Sequence, residues 1–366
     1  MRDRLAWLDE RRETYLLGLA RIAFALLYAL SAQKLLRGTL ANGYFGDTFH
    51  IPLLPESWVP SRSVYLALLV FGILAALVAA LGRLARPLLF LASSVGLYLF
   101  CCDRLAYHNN RYVLHLMVFL LAFTPCDRSL RVFGPKLDAQ QRRGPIWAQR
   151  LMQIQVSLVY AASAGSKLLD ADWRGGQVLL LRYQNVLAWS HDHGHPLPER
   201  AALVLGSPWF ADATSKAAIC TELFVGLGLW LGRTRALALW LGVLLHWGIE
   251  LGASVEIFSF LMWASYLLFC VPELRERKLL YDPLHKFSRA FAHGLGLLDW
   301  LLRFERMPAP DASSNRWGIS AIDRDGKTSD GFGALVLVTR AVPVLFPLWI
   351  PLAVVHRATG RLRHKR

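Results

Sequence analysis

The chain has 366 residues and carries 41 Lys and Arg against 26 Asp and Glu, which gives a formal net charge of +15. Hydrophobic residues make up 55% of the chain and charged residues 18%. This composition excludes a disordered chain or a collagen-like repeat, and it is too apolar for an ordinary nucleic-acid-binding protein. The length of the apolar runs distinguishes a soluble core from a membrane protein, because a spanning helix needs about 20 mostly apolar residues.

Apolar runs of nearly that length or longer occur eight times, and they predict an all-α, polytopic bundle of about eight transmembrane helices. Their approximate bounds are 15–35, 64–84, 87–102, 112–126, 146–168, 214–232, 235–252 and 255–271. Small residues inside them, such as Ala75, Ala76 and Gly226, favour close packing of helices in lipid. The run 333–355 is a candidate ninth span, but Arg340 and three prolines favour an interfacial or peripheral helix.

The distribution of Lys and Arg among the loops predicts the orientation of this bundle. With the N-terminus in the cytoplasm, the inner loops hold many of the cations, whereas the connection between the seventh and eighth spans holds none. The inner cations include Arg2, Arg4, Arg83, Arg86, Arg128, Arg131, Lys136, Arg233, Arg275, Arg277 and Lys278. We therefore expect an integral protein of the bacterial inner membrane, in contact with the lipid bilayer and with no nucleic-acid partner.

The C-terminal part of the chain differs from the bundle, which we assign to residues 14–275. Residues 276–307 alternate apolar and basic side chains at helical spacing and predict an amphipathic interfacial helix. Residues 308–366 form a small basic C-terminal region, in which 317–332 predict a hairpin around Asp325-Gly326. Residues 318–363 resemble the end of DCC-type thiol-disulfide oxidoreductase domains without their Cys-x-x-Cys, which indicates a structural remnant.

The cysteines and histidines were considered as metal ligands. The five cysteines include no Cys-x-x-Cys pair and mostly lie in or near apolar runs, which favours core packing over disulfides or zinc. Residues 190–195 place His191, His193 and His195 beside Asp192. Alternating histidines suit a metal ion, but a loop of this kind is usually solvated. We expect no metal site.

Ionisable side chains at membrane depth are costly, so each of them is a candidate for function. Lys167 lies at the outer end of the fifth predicted span and is followed by Asp170, Asp172 and Trp173. The turn at 107–112, on the same predicted side, is dense in hydrogen-bonding groups. The predicted topology gathers six groups at one level, namely Lys167, His108, Asn109, Asn110, His246 and Glu250.

Each of these residues also has an ordinary structural interpretation. An amine in apolar surroundings is easily deprotonated and can act as a base, but Lys167 could equally extend to the interface from a helix end. His246 has the alternative role of a hydrogen-bonded interhelical histidine. For Arg21, in the first span, we expect either a charge partner in Glu222 or a set of backbone carbonyls.

Several stretches resemble one known family. Residues 160–173, Tyr-Ala-Ala-Ser-Ala-Gly-Ser-Lys-Leu-Leu-Asp-Ala-Asp-Trp, are similar to the signature of the horizontally transferred transmembrane (HTTM) domain, the membrane part of vitamin K-dependent gamma-glutamyl carboxylases. Further stretches agree in order at 19–24, at 107–112 with 121–123, and from His246 through 257–259 to 268–270. The resemblance covers about residues 14–275 and implies a helical membrane fold.

The resemblance also implies a reaction. In this family a lysine of the motif deprotonates reduced vitamin K, oxygen adds, and the resulting strong base removes a γ-proton from a glutamate that captures CO2, while the quinone leaves as its epoxide. The implied catalytic residues are Lys167, His108, Asn110 and His246, and the implied binding residues are Asn109, Arg111, Tyr112, Asp170, Asp172, Trp173 and Glu250. The implied cofactor is reduced, menaquinol-type vitamin K with O2 and CO2, and the implied partners are a lipid quinone and a glutamate-containing peptide.

Two positions depart from the family pattern. The family's lysine stands immediately before the Leu-Asp/Asn-x-Asp-Trp run, where this chain has Leu168, one residue after Lys167. One residue on a helix is a rotation of about 100°. The histidine that is usual in the turn after the third span corresponds to Asn110, with His108 two positions earlier.

Three functional hypotheses follow. The first is a vitamin K-dependent carboxylase-like membrane enzyme that oxidises a reduced lipid quinone to its epoxide and carboxylates peptide glutamate. The second is a non-catalytic maturation or immunity partner of a secreted, toxin-like precursor peptide, as in the related membrane factors of the sporulation-delaying toxin system. The third is a helical scaffold with a lipid-filled cavity, in which Lys167 and His246 are dispensable.

Overall fold

The computed structural model describes residues 10–41, 45, 50–104, 108–133, 135, 137–252, 255–270, 275–310 and 315–363. The chain divides into two compact units, one formed by 1–231 and 241–269 and the other by 232–240 and 270–366. Among the predicted features, Arg2, Arg4, Tyr107 and Lys136 lie outside the described residues.

Each predicted apolar run coincides with an α-helix, and further helices lie between the fifth and sixth runs. The helices are α1 (Tyr15–Leu40), α2 (Arg62–Ala80), α3 (Ala85–Phe100), α4 (Asn109–Leu121), α5 (Trp147–Leu169), α6 (Ala171–Arg174), α7 (Gln177–Asp192), α8 (Glu199–Leu205), α9 (Pro208–Gly228), α10 (Arg235–Gly252) and α11 (Phe258–Tyr266). A short antiparallel pair, β1 (Arg11–Glu13) and β2 (Arg143–Pro145), precedes α1 and α5.

Two of the described helices, α1 and α2, are long and apolar enough to cross a membrane. The most apolar windows of these helices have mean hydropathies of 1.7 and 2.5. The other helices in the predicted runs are shorter or less apolar. Length and composition therefore support a membrane protein with two clear candidate spans, which is a coarser result than the eight predicted spans.

The α1–α2 pair has small residues inside and large apolar residues outside. Ala75 and Ala76 of α2 are buried, as their small size predicted, whereas Phe71 and Leu74 are exposed. At Gly72 an added Cβ would lie 2.7 Å from the Tyr28 hydroxyl, so only glycine permits this close approach. An apolar exterior around a small-residue contact is typical of helices that pack in lipid.

Arg21 joins α1 to two other segments through backbone carbonyls. Its side chain is fully buried. The guanidinium donates to the carbonyls of Cys126 at 2.6 Å, Ser129 at 3.0 Å, Ala80 at 3.2 Å and Leu130 at 2.6 Å. Of the two expectations for Arg21, carbonyl capping is confirmed and pairing with Glu222 is wrong. The charge is stabilised by four oriented dipoles rather than by a carboxylate.

The second unit contains a four-stranded sheet. Its elements are β3 (Arg277–Tyr281), α12 (Lys286–Leu298), β4 (Phe304–Pro308), β5 (Ile319–Ile322), β6 (Thr328–Asp330), α13 (Phe332–Ala341) and α14 (Phe346–Arg363). The strand order is β4-β3-β5-β6, with β3 and β4 parallel and the other pairs antiparallel. A helix between two parallel strands is the usual crossover, and α12 and α13 contribute buried residues to the same core as the sheet.

The second unit corrects three predictions and confirms one. The all-α class fails there because residues 277–281 and 304–308 are strands, so the predicted amphipathic helix at 276–307 is restricted to Lys286–Leu298. The run 333–355 is two helices bent by 112° in place of one peripheral helix, and together they are long and apolar enough for a broken span or a re-entrant loop, a third candidate. The hairpin around Asp325-Gly326 is confirmed, because β5 and β6 pair there.

Candidate functional site

One face of α5 carries a line of polar side chains. Gln149, Gln153, Tyr160, Ser163 and Lys167 recur at spacings of three, four and seven residues, which is the repeat of one helix face. The two glutamine amides both donate to the Leu268 carbonyl, at 2.6 Å and 2.7 Å. The line therefore points at other helices of the bundle.

Lys167 forms a buried ion pair at the C-terminal end of this line. Its Nζ lies 2.8 Å from Oε1 and 2.9 Å from Oε2 of Glu222 on α9. The two side chains are only 14% and 6% exposed. Ser163 accepts from the same amine at 2.5 Å and donates to Glu222 at 3.1 Å. The amine, the carboxylate and the hydroxyl form one closed polar cluster, which we call the lysine cluster.

The direction of Lys167 answers the question raised by the shifted motif. The helix α5 continues to Leu169, and Leu168 and Leu169 are 43% and 86% exposed. The side chain of Lys167, one position earlier, points inward from this helix. Its amine also lies 5.0 Å from the centre of the Trp173 ring, a cation–π arrangement. The lysine thus points inward, toward α9.

The short helix α6 fixes the position of Trp173. Asp170 is its N-cap and accepts from the backbone amides of Asp172 at 2.8 Å and Trp173 at 3.4 Å. Ser215 of α9 donates its hydroxyl to the Trp173 carbonyl. Asp170 and Asp172 are themselves exposed. Asp170 therefore stabilises the short helix α6, and this helix places the Trp173 indole beside the Lys167 amine.

His246 belongs to a second polar group on the same face of α5. Its Nε2 shares a hydrogen bond of 2.8 Å with the Tyr160 hydroxyl, which also bonds the Tyr266 hydroxyl of α11. His246 is buried, and its Nδ1 has no hydrogen-bond partner among the described residues. Tyr160 lies one turn before Ser163, so this tyrosine group and the lysine cluster follow each other along α5.

Most of the remaining predicted residues lie at the start of α4, whereas Glu250 lies on α10. Asn110 donates to the Val255 carbonyl at 3.0 Å, and Arg111 lies 3.3 Å from Glu256, which also pairs with Lys34 at 2.7 Å. His108 and Glu250 each have a buried polar atom without a hydrogen-bond partner in the described parts of the chain. Asn109 and Tyr112 are exposed. In those parts no hydrogen bond joins this group to the lysine cluster.

The histidine-rich segment is more ordered than predicted. The helix α7 extends through His191 and Asp192, so only the end of the 190–195 segment is a loop. Trp189 stacks on His193, with 4.4 Å between the ring centroids. Within the ranges described above, no three His, Cys, Asp or Glu side chains converge in a way that suits a metal ion.

Sequence reasoning did not select Glu222, Ser163, Tyr160 or Tyr266 as site residues. Ser163 and Tyr160 could have been found, because they share the helix face of Lys167. Glu222 is an acid inside an apolar run, which is a signal for a buried partner. Tyr266 gives no such signal, since aromatic residues are common in membrane helices. Its role depends on how α11 meets α5.

The lysine cluster can exist in two charge states. With the proton on Lys167, the pair consists of an ammonium and a carboxylate. Movement of that proton across 2.8 Å to Glu222 leaves a neutral amine beside a neutral acid. The geometry therefore allows a proton to pass directly between the amine and the carboxylate.

Comparison with known proteins gives the family. The sequence model of the HTTM domain matches residues 10–274, well over half of the chain. No solved structure matches the chain. The matched range contains α1 to α11, and with them the lysine cluster and the tyrosine group. The chain belongs to the HTTM domain family, the kind of membrane domain that vitamin K-dependent carboxylases carry.

Proposed function

We propose that this chain is a carboxylase-like membrane enzyme that oxidises a reduced lipid quinone to its epoxide, with Lys167 as the base. One observation carries the proposal: Lys167, one residue before the lysine position of the HTTM motif, points inward and pairs with a buried carboxylate. Stability alone does not explain this ion pair, because apolar residues of the same size would hold the two helices together at least as well.

The lysine cluster would supply a quinol with groups that can accept and hold a proton. Reduced vitamin K, when bound, supplies the hydroxyl proton and the electrons for the reaction with O2. Lys167, as the neutral amine, accepts that hydroxyl proton, and Glu222 holds the proton that the ammonium gave up. Ser163 keeps the amine and the carboxylate together. The Trp173 indole borders the Lys167 amine.

We propose for the tyrosine group a positioning role. His246 and Tyr266 both hold the Tyr160 hydroxyl, so this residue has a single orientation one turn from Ser163. The group at the start of α4, with Asn110, Arg111 and Glu256, is proposed to bind the second substrate, a glutamate-containing peptide. Its two cations, Lys34 and Arg111, both pair with Glu256, and a glutamate of the substrate could replace Glu256 as their partner.

The proposal includes the placement in the membrane. We propose eight spans, with α1 to α5 and α9 to α11 crossing the bilayer of the bacterial inner membrane and the N-terminus in the cytoplasm. The excess of Lys and Arg in the loops on that side supports this orientation. In it the outer end of α5, with Lys167, lies near the periplasmic surface, where O2, CO2 and a secreted peptide are available.

The test is turnover of reduced menaquinone by membrane vesicles that contain the protein. We expect formation of the quinone epoxide, together with incorporation of labelled CO2 into a glutamate peptide. Lys167→Ala is expected to lower the rate of epoxide formation by about 10²–10⁴-fold, the usual contribution of a general base. The matched control is Lys216→Ala, which removes an exposed lysine paired with Asp212 at 2.8 Å on α9 and should leave the rate unchanged.

Two outcomes would contradict this function. Full activity of the Lys167→Ala variant would remove Lys167 from the mechanism. Absence of any epoxide with the wild-type protein would exclude the enzyme. Epoxide without carboxylation would limit the proposal to quinone oxidation.

The saturated ion pair itself favours a second candidate function, a non-catalytic partner of a secreted peptide. Every oxygen of Glu222 already has a donor, as in a structural contact between helices. Under this function a small precursor peptide co-purifies with the protein, no quinone turns over, and joint replacement of Lys167 and Glu222 by methionine leaves peptide capture intact.

A further inference from the structure

A surface cavity lies where the α2–α3 turn meets the segment after α4. Its volume is about 880 Å³, and residues 82–87 form one wall while Ala122, Phe123, Asp127, Arg131 and Phe133 form the other. All of these residues belong to the first unit. This cavity is far along the chain from the lysine cluster, and Lys167 does not line it.

The cavity has an excess of positive charge that the protein does not neutralise. Arg83, Arg86 and Arg131 line it with one acid, Asp127. None of the three arginines forms an ion pair in the described part of the chain. The Nε of Arg131 is buried without a hydrogen-bond partner among the described residues. Unpaired guanidinium groups around a concave surface are a site for an anion with several oxygen atoms.

The rest of the lining is apolar. Leu84, Phe90, Phe123 and Phe133 are all exposed large side chains. Phe90 and Phe123 meet edge to face, with 6.2 Å between the ring centroids. A free inorganic anion would gain nothing from these rings. A ligand that combines an anionic group with a hydrocarbon chain would use both parts of the lining.

Hydrogen bonds hold the two walls of the cavity together without a ligand. Val132 donates its amide to the Leu81 carbonyl at 3.0 Å, and Arg86 Nε donates to the Ala122 carbonyl at 3.1 Å. Leu84 has a φ of 47°, a left-handed conformation that costs free energy for a branched residue. These contacts keep the turn beside the segment after α4 and hold Arg83 and Arg86 at its rim.

We propose that this cavity binds the phosphate of an anionic membrane phospholipid, with the acyl chains against Phe90 and Phe123. The arginines belong to the loops whose charge predicts the cytoplasmic side, where anionic headgroups attract basic residues. The site acts as an anchor between the protein and the inner leaflet and is independent of the reaction at Lys167.

The experiment is native mass spectrometry of the purified full chain in detergent, titrated with short-chain phosphatidylglycerol and, separately, with phosphatidylcholine and glycerol 3-phosphate. We expect phosphatidylglycerol to bind in preference to both. The Arg83→Gln/Arg86→Gln variant should bind it roughly 30-fold more weakly, at about 1 kcal/mol for each arginine. The matched control is Arg182→Gln/Arg200→Gln, which removes two exposed cations on α7 and α8 and should bind as the wild type does.

A single variant still tests the site if the double variant does not fold. Arg83 is exposed and makes no hydrogen bond among the described residues, so Arg83→Gln alone should fold and weaken phosphatidylglycerol binding about fivefold. Equal binding by Arg83→Gln and wild type would overturn the site. Equal binding of phosphatidylcholine would overturn the role of charge. Glycerol 3-phosphate binding as tightly as the lipid would overturn the role of the acyl chains.

Discussion

The Lys167–Glu222 pair joins α5 and α9 by a contact that a hydrophobic pair could replace. Its two side chains are nearly buried, and Ser163 bonds both of them. Burial of two charges costs several kcal/mol per ion before their attraction is counted. The pair therefore contributes little net stability. Replacement of only one of its two residues should, however, strongly destabilise the protein.

Single and double replacement of the pair by methionine separates stability from function. Lys167→Met or Glu222→Met alone leaves an uncompensated buried charge and is expected to destabilise the protein by about 3–5 kcal/mol. The Lys167→Met/Glu222→Met double variant should recover most of the wild-type stability and remain inactive. Reversible denaturation in mixed micelles measures the three free energies of unfolding.

The exposed pair of Lys216 and Asp212 is the control, and its single variants should change stability by less than about 1 kcal/mol. Single variants of Lys167 and Glu222 with wild-type stability would show that the buried pair does not form.

At the residue scale the sequence located the lysine but not its partner. The motif and the apolar run placed Lys167 at the end of a membrane helix. Whether the Lys167 side chain points inward or outward depends on α5 remaining helical as far as Leu169. A shift of one residue along the helix would reverse that direction. Glu222 lies 55 residues away on another helix. Its place in an apolar run indicates a buried partner, but only the packing of α9 against α5 identifies that partner as Lys167.

At the element scale, α10 and α11 meet at a position that permits only glycine. A Cβ at Gly242 of α10 would contact the Tyr266 hydroxyl, which is bonded to Tyr160. The tyrosine group therefore depends on the absence of a side chain on the neighbouring helix.

Gly242→Ala is expected to displace Tyr266 and to destabilise the protein by about 1–3 kcal/mol, the usual cost of overpacking. The same helix supplies the control, because a Cβ at Gly248 meets nothing within 4 Å. Gly248→Ala should be neutral or stabilising by up to about 1 kcal/mol. Thermal unfolding of the two variants measures the difference, and equal melting temperatures would contradict the close packing of α10 and α11.

The β5–β6 hairpin is stabilised by an acid whose charge depends on pH. Burial of Asp323 disfavours its charge, but hydrogen bonds from the Arg324 amide and from Arg277 outweigh burial and lower the pKa of this carboxyl. A lowered folded pKa means that the stabilisation is present above the unfolded pKa and is lost as the pH falls through the folded pKa.

Asp323→Asn should therefore destabilise the second unit at pH 7 by about 1 kcal/mol, since the ion pair with Arg277 at 2.8 Å is partly exposed. The difference should disappear in acid, below the folded pKa. Hydrogen exchange of the β5 and β6 amides in the full chain measures it. Asp325→Asn in the same hairpin is the control, and a difference that persists in acid would contradict the role of charge.

The elements were predicted unevenly. Apolar runs located the helices of the first unit, because burial in lipid requires such runs. The helices α6, α7 and α8 were missed, since they are amphipathic or short and resemble a polar connection. In the second unit the alternating pattern of 276–307 was interpreted as one helix, although two five-residue strands flank α12. Strands of that length carry too few residues to show their own period.

At the scale of the whole molecule, the proposed orientation depends on loop charges alone. Arg83, in the α2–α3 turn, and His193, after α7, are both exposed and lie on opposite proposed sides. Their labelling by a membrane-impermeant reagent can establish which side each one faces.

In a chain whose five cysteines are replaced by serine or alanine, His193→Cys should react with an impermeant maleimide on intact cells. Arg83→Cys should react only after the membrane is opened, because the positive-inside rule keeps that turn in the cytoplasm. Labelling of both positions from the same side would contradict the proposed topology, and the reversed pattern would invert it.

The proposed reaction requires a reduced quinone beside Lys167. A structure of the protein in lipid nanodiscs with reduced menaquinone would show whether the quinone binds there. We expect a ring hydroxyl oxygen about 3 Å from Lys167 Nζ, the distance at which a proton can pass to the amine. A quinone bound elsewhere, with the Lys167–Glu222 pair unchanged and no ligand atom at the amine, would contradict it.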